Sequence, residues 1–344
     1  YLHGNHAGPT AAFRADMDAL PVTETSGASY ASVCPGVMHA CGHDTHITAA
    51  LGAAKLLSAH REMLHGDIVF IFQPDEEGNG GAERLIRSGV LENVSCIFGS
   101  HVTPDLPEGH IGIRYGKFYA ASDTFRAMVH GISCHGAERE KGIDPILAAS
   151  EMITSLIALP AVNDAEKSVV SVGAIHAGTA GNIIAEKAEF SGIIRTLGQQ
   201  NRQTMRQLLA ETIRRISDNH GTSTELELRQ SYPGVVNHDD MTDLVHAAAC
   251  RLFGNEKVHL IEEPTMTTED FGYYLLERPG CFYHFGAGSS HPLHSANFLP
   301  DDHAVVTASA VHAAVLEAAL SVFDIKKRSC AMISNKKELE QWNL

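Results

Sequence analysis

Short apolar runs bounded by Gly, Pro and polar residues recur through the first hundred residues, and they predict buried strands alternating with helices. Ala11 to Asp18 reads as a strand ending in Asp-Met-Asp, followed by the turn signal Ala19-Leu-Pro21. Ile68-Val-Phe-Ile-Phe72, between Gly66 and Pro74, reads as a second, within a strand 67–73, and Ser95 to Ser100 as a third, with His101 immediately after it. Between them, Ile47, Leu51, Ala54 and Leu57 recur at helical spacing from His46 to His60, and a further helix is expected from Gly81 to Arg87. Such alternation argues for a parallel sheet covered by helices on both faces.

The texture changes near Gly112. Strands at Ser122–Gly131, Ser168–His176, Glu186–Thr196 and Thr224–Gln230, with helices at Asp144–Leu159 and Gln199–Asn219, give a β-α-β-β-α-β order. That order suits a four-stranded sheet with two helices on one face, the ferredoxin-like arrangement. After Pro233 the chain is expected to return to the first domain, through helices at Asp239–Phe253 and Glu269–Leu276 and a strand Cys281–Phe285. The expected organisation is α/β, with a first domain in two parts, 1–114 and 231–344, and an inserted domain at 115–230.

A net charge of −15 argues against nucleic acid or an anionic membrane as partner. The seven Cys make no CxxC pair, which reads as reduced thiols in a cytoplasm. The long apolar stretch Ala304–Phe323 contains His312 and Glu317 and reads as a buried helix rather than a membrane span. The basic tail of Lys326, Lys327, Arg328, Lys336 and Lys337 reads as a solvated end. The chain starts at Tyr1 and reaches a core strand within a few residues, so it is expected to lack its natural beginning.

Two stretches carry the candidate chemistry. Met38-His-Ala-Cys-Gly-His-Asp-Thr-His46 packs three His, one Cys and one Asp together, at an expected strand-helix junction. Gln73-Pro-Asp-Glu-Glu-Gly78 places Glu76 and Glu77 at the carboxyl end of an apolar strand, the edge where open α/β sheets bind ligands. Thiolate, imidazole and carboxylate together suit a borderline transition metal such as Zn, Mn, Co or Ni. No GxSxG or HExxH is present, and Gly78-Asn-Gly-Gly81 lacks the Lys-Ser/Thr of a phosphate loop.

These stretches, with Arg14-Ala-Asp-Met-Asp-Ala-Leu-Pro21, Gly99-Ser-His-Val102, Asn182-Ile-Ile, Ser191-Gly-Ile-Ile-Arg-Thr196, Glu269-Asp-Phe271 and Leu293-His-Ser295, stand in the order of a known family. The chain resembles the aminoacylase/carboxypeptidase metallopeptidases, in the amidohydrolase branch of hippurate hydrolase, indole-acetyl-amino-acid hydrolase and N-acetyldiaminopimelate deacetylase. The resemblance runs from about Arg14 to about Asp302. It implies a zinc-exopeptidase-like α/β domain, a lid and dimerisation domain, and hydrolysis of N-acyl-L-amino acids; a dipeptidase or carboxypeptidase, or a non-catalytic metal-binding fragment, are the alternatives.

By that resemblance the metal ligands are Cys41, His43, Glu77, His101 and His294. Five ligands exceed one tetrahedral site, so two divalent ions per subunit are expected. Glu76, adjacent to a ligand but not consumed by coordination, is the expected general base. The resemblance also makes His135 an oxyanion-stabilising lid residue, and Asn182 and Arg195 a grip on the substrate carboxylate. Asp16, Asp18, Asp44 and His46 are candidates for orienting the ligands. The lid departs from the family pattern at Gly136-Ala-Glu-Arg-Glu140, at Ala185 in place of Pro, and at Gly192-Ile193 in place of Gly-Thr.

Overall fold

The computed structural model describes residues 1–159 and 167–341, with side chains to Phe323; the basic side chains from Lys326 onward lie outside the described set. The chain divides into two compact units. The first comprises residues 1–116, 236–263 and 270–344, and the second residues 117–235 and 264–269.

In the first unit the strands His65–Gln73, His6–Asp16, Val94–Thr103 and Gly280–Gly286 lie side by side, all parallel. Short strands extend the sheet at both sides: Leu2–His3 beyond His65–Gln73, and Ile111–Ile113 then Val258–Leu260 beyond Gly280–Gly286. From Ala11 to Asp16 every residue is buried, and so is nearly every residue of Val94–Thr103, as expected for strands covered on both faces. Helix Asp302–Gln341 packs against helix His43–Ala59 and the sheet, and Ala304, Ala308, Val311 and Val315 join the core. Its Asp302–Phe323 portion has the length and apolarity of a membrane span, and 56% of that window is buried inside the protein.

Helix His43–Ala59 turns a different face inward from the one its large apolar residues predict. His43, His46, Ala49, Ala50, Ala53 and Leu57 are buried, whereas Leu51 is 54% exposed. Gly52 lets the neighbouring helix approach closely, since a Cβ there would stand 2.2 Å from Ser309 Oγ. The two inward histidines fix the rotation of the helix, because both face the carboxyl edge of the sheet. Two boundaries also move. The helix follows the long loop 17–42 rather than a strand, and His101 lies within its strand rather than after it. The expected helix at Glu269–Leu276 begins only at Gly272, leaving Glu269 and Asp270 ahead of it.

The second unit holds an antiparallel sheet in the order Ser223–Gln230, Ala121–His130, Lys187–Thr196, Ser168–Ala177. Helices Pro145–Ile157 and Gln199–His220 pack on the sheet, and Phe125, Phe190, Met152, Leu209 and Ile213 fill the core between them. Asp144 caps the first helix, accepting from the backbone N–H of Ile146 and Leu147, with Pro145 at its first turn. This is the ferredoxin-like arrangement expected from the order of elements.

Candidate metal centre

Four segments of the first unit bring donor atoms to the carboxyl edge of its sheet. Helix His43–Ala59 starts from Gly42, whose φ is 80°; a Cβ there would meet Val102 Cγ1 at 2.5 Å. Glycine therefore lets the loop bearing Cys41 pass close to strand Val94–Thr103. Glu76 and Glu77 sit in the turn after strand His65–Gln73, behind Asp75 with φ 66°. His294 follows strand Gly280–Gly286 in a loop, with φ 65°, and its N–H donates to Ala40 O at 2.8 Å.

The expected ligands and Glu76 fall into three overlapping sets of donors, each within 4.8 Å: Cys41, His43 and His101; Cys41, Glu77 and His294; and His43, Glu76 and Glu77; Asp16 and His46 form a further such set with His43. Cys41 Sγ is 3.4 Å from His101 Nε2 and 3.2 Å from His294 Nε2, which in turn lies 3.1 Å from Glu77 Oε1. Cys41 is common to two of these sets.

Carboxylates behind the donors set the electrostatics. Asp18 accepts the backbone N–H of Glu76 at 3.1 Å and of Glu77 at 2.9 Å, and lies 3.4 Å from His43 Nδ1. Burial would raise its carboxyl, but His43 and the two N–H groups outweigh that and hold it at about 2. Burial likewise opposes a charge on His43, yet Asp16 and Asp18 lift it to about 9. Asp16 Oδ1 meets His46 Nδ1 at 2.5 Å, and His46 Nε2 accepts from the N–H of Val102 at 2.9 Å. That backbone bond fixes the tautomer of His46 with its proton towards Asp16. Burial drives His101 well below the usual imidazole range, with His46 adding to the effect. Burial, then the Glu77 carboxylate, pushes the Cys41 thiol up.

The donors fit a divalent transition metal. His43 Nδ1 faces the Asp18 carboxylate, but Nε2 of this fully buried ring closes no hydrogen bond among the described residues, and a buried polar atom left so is costly. One thiol, imidazoles and carboxylates form a mixed S, N, O set of borderline softness. A bound cation would also reverse the thiol's preference, since a coordinating thiol loses its proton.

The five expected ligands and Glu76 are gathered here. His135, Asn182 and Arg195 lie in the second unit, and Asn182 and Arg195 are not on neighbouring strands of one sheet. Asn182 instead adjoins His135: Ile183 pairs with His135 in a separate two-stranded ribbon, and Gly136 N–H donates to Asn182 O at 2.8 Å. Arg195, half-buried in the four-stranded sheet, donates to Thr268 Oγ1 at 3.1 Å. Asp44 is exposed and caps no helix, since Gly42 holds the N-cap. The sequence reading gave no role to Arg14, Gln73 or Asp270, all fully buried behind the donors. For Arg14, a charged residue inside an apolar strand was the available signal.

A mainly parallel α/β sheet with paired acidic, imidazole and thiol donors at its carboxyl edge defines a metallohydrolase. The chain belongs to peptidase family M20/M25/M40, whose model matches residues 12–318. It is 37% identical to N-acetyldiaminopimelate deacetylase of Lactiplantibacillus plantarum, over 86% of this chain and 77% of that protein. It is 35% identical to thermostable carboxypeptidase 2 of Saccharolobus solfataricus, over 91% of this chain and 81% of that protein. The Bacillus subtilis YXEP protein, a dinuclear metal binding peptidase from the M20 family, superposes with a TM-score of 0.83 at 35% identity, covering 93% of this chain and 84% of that one.

Proposed function

We propose that the chain hydrolyses N-acyl-L-amino acids to a carboxylic acid and a free amino acid, with two divalent ions held by Cys41, His43, Glu77, His101 and His294. The observation that carries this reading is the convergence of those five donors with Glu76 on one sheet edge. Mn, Zn, Co and Ni all match the donor set. When bound, such ions polarise an amide carbonyl and acidify a water molecule towards a pKa of ~7.

Glu76, 7% exposed and next to Glu77, takes the proton from water and delivers it to the leaving nitrogen. Asp18 holds the backbone of both glutamates, so the base and the ligand beside it keep a fixed relation. His135 is assigned to stabilising the developing oxyanion, and Asn182 and the Arg195 fork to the amino-acid carboxylate. These three roles rest on the family resemblance and on side-chain chemistry.

A homodimer formed through the second unit belongs to the same proposal. Its sheet edge Ser168–Ala177 carries no Asp, Glu, Lys or Arg, whereas the opposite edge, Ser223–Gln230, carries Glu225, Glu227 and Arg229. Uncharged edges are the ones open to pairing with another strand. A cytoplasmic location, where Cys41 stays reduced, completes the reading.

Similarity to a deacetylase and to a carboxypeptidase makes peptide hydrolysis the second reading. A panel of hippurate, N-acetyl amino acids, N-acetyldiaminopimelate and dipeptides, run with Mn or Zn and again after chelation, tests both. Chelator-sensitive release from the acyl-amino acids supports the first reading, and release from dipeptides alone supports the second. Tight metal binding with no release from any amide would overturn both and leave a non-catalytic metal-binding chain.

A further inference from the structure

Behind the donors runs a chain of buried polar contacts that no ligand role explains. Arg14 has 0% exposure inside strand His6–Asp16. Its Nη1 donates to Asp16 Oδ2 at 2.6 Å, its Nη2 to Asp270 Oδ1 at 2.7 Å and its Nε to Gln73 Oε1 at 3.0 Å. Asp270, also at 0%, accepts from Gln73 Nε2 and from the backbone N–H groups of Gly81 and Ala82, each at 3.0 Å. Asp16 passes the connection to His46, and His46 to the N–H of Val102.

The connection therefore reaches each segment that carries a donor except one. Gly81 and Ala82 close the turn bearing Glu76 and Glu77; Asp16 and His46 flank His43; Val102 follows His101. The loop of His294 is left out. Gly81 also has no room for a side chain, since a Cβ there would meet Pro74 O at 1.9 Å.

Resting on the metallohydrolase reading above, we infer that Arg14 and Asp270 are positioning residues that lock the ligand-bearing segments into one preassembled unit. Neither is among the five proposed ligands. A fixed fork between two buried carboxylates sets distances between strand ends that a single contact would leave adjustable. The consequence is a site that takes metal without paying to order its ligands.

The test is metal binding by the full chain. Isothermal titration of the chelated protein with Zn²⁺ compares wild type, Asp270→Asn, Arg14→Lys and the core variant Val315→Ala, with denaturant midpoints measured in parallel. Asp270→Asn keeps the size of the side chain and Arg14→Lys keeps the charge but loses the fork. The expected result is roughly 10- to 100-fold weaker Zn²⁺ binding in both, as for outer partners of metal ligands. Val315→Ala, destabilised in the apolar core at a residue that makes none of the network's hydrogen bonds, keeps wild-type affinity. Wild-type affinity in Asp270→Asn and Arg14→Lys overturns the inference while leaving the proposed function intact. A loss in Val315→Ala equal to theirs overturns it too, by showing that general stability sets affinity. Should Arg14→Lys fail to fold, Asp270→Asn decides alone. No Zn²⁺ binding by wild type would overturn the proposed function and this inference with it.

Discussion

The carboxylate of Asp18 accepts the backbone N–H of Glu77 at 2.9 Å, so a residue just beyond one strand fixes a ligand just beyond the next. Removing that carboxylate by Asp18→Ala frees the Glu76–Glu77 turn and takes an anion away from His43. Metal affinity is expected to fall roughly 10- to 100-fold, read by titration calorimetry. Unchanged affinity would show that the turn holds its shape without Asp18.

Glu76 separates chemistry from binding. Glu76→Ala should keep the metal stoichiometry and lose about 10²- to 10⁴-fold in turnover, the usual contribution of a general base. Metal content by mass spectrometry and kcat at saturating substrate are the two readouts. Retained turnover would remove Glu76 from the mechanism.

Gly42→Ala tests the packing of the Cys41 loop. It adds a left-handed φ cost of roughly 1–2 kcal/mol and an overlap with Val102 that costs about 1–3 kcal/mol more. Gly36, with φ 77° and open space around its Cβ direction, supplies the control, since Gly36→Ala meets only the first cost. Urea midpoints of the two variants should differ by the packing share; equal midpoints would mean that Val102 yields.

His312 gives a pH prediction. It lies at 0% exposure with Nδ1 2.5 Å from Tyr283 Oη and Nε2 3.3 Å from Ser100 Oγ. Burial holds it well below its ordinary value of 6.5, so the unfolded chain takes up the proton first as pH falls. Its contribution to stability is present in full above the unfolded value and is lost as pH drops below it. In chelated protein between pH 7.5 and 5.5, His312→Asn should be less stable at the upper end and show a shallower slope. The slope difference should approach one proton, about 1.4 kcal/mol per pH unit, below pH 6. Identical slopes would place a proton on the buried His312.

Much of the donor set was legible because metal chemistry restricts residue types. Cys41, His43, Glu76 and Glu77 occur in two short stretches, and the apolar run before Glu76 places it at a strand end. The face of helix His43–Ala59 was not legible. Hydropathy counts Leu51 as core and histidine as surface, but here His43 and His46 point inward and Leu51 outward. Asn182 and Arg195 share a short sequence interval, yet Asn182 stands in the turn before the ribbon strand Ile183–Ile184 and Arg195 in the four-stranded sheet, because the chain leaves the ribbon before it enters that sheet.

The sequence by itself determined the alternation of elements, the ferredoxin-like order of the second unit and two stretches rich in metal-donor side chains, since each follows from local periodicity or residue chemistry; the five-ligand set came from the family resemblance. Only the tertiary structure decided which carboxylates stand behind those donors. Arg14 and Asp270 lie far apart in the chain and meet at 2.7 Å through strand order and the turn ahead of helix Gly272–Glu277. A contact of that kind leaves no period or spacing in the sequence, because it is made by the packing of segments that have no local reason to meet.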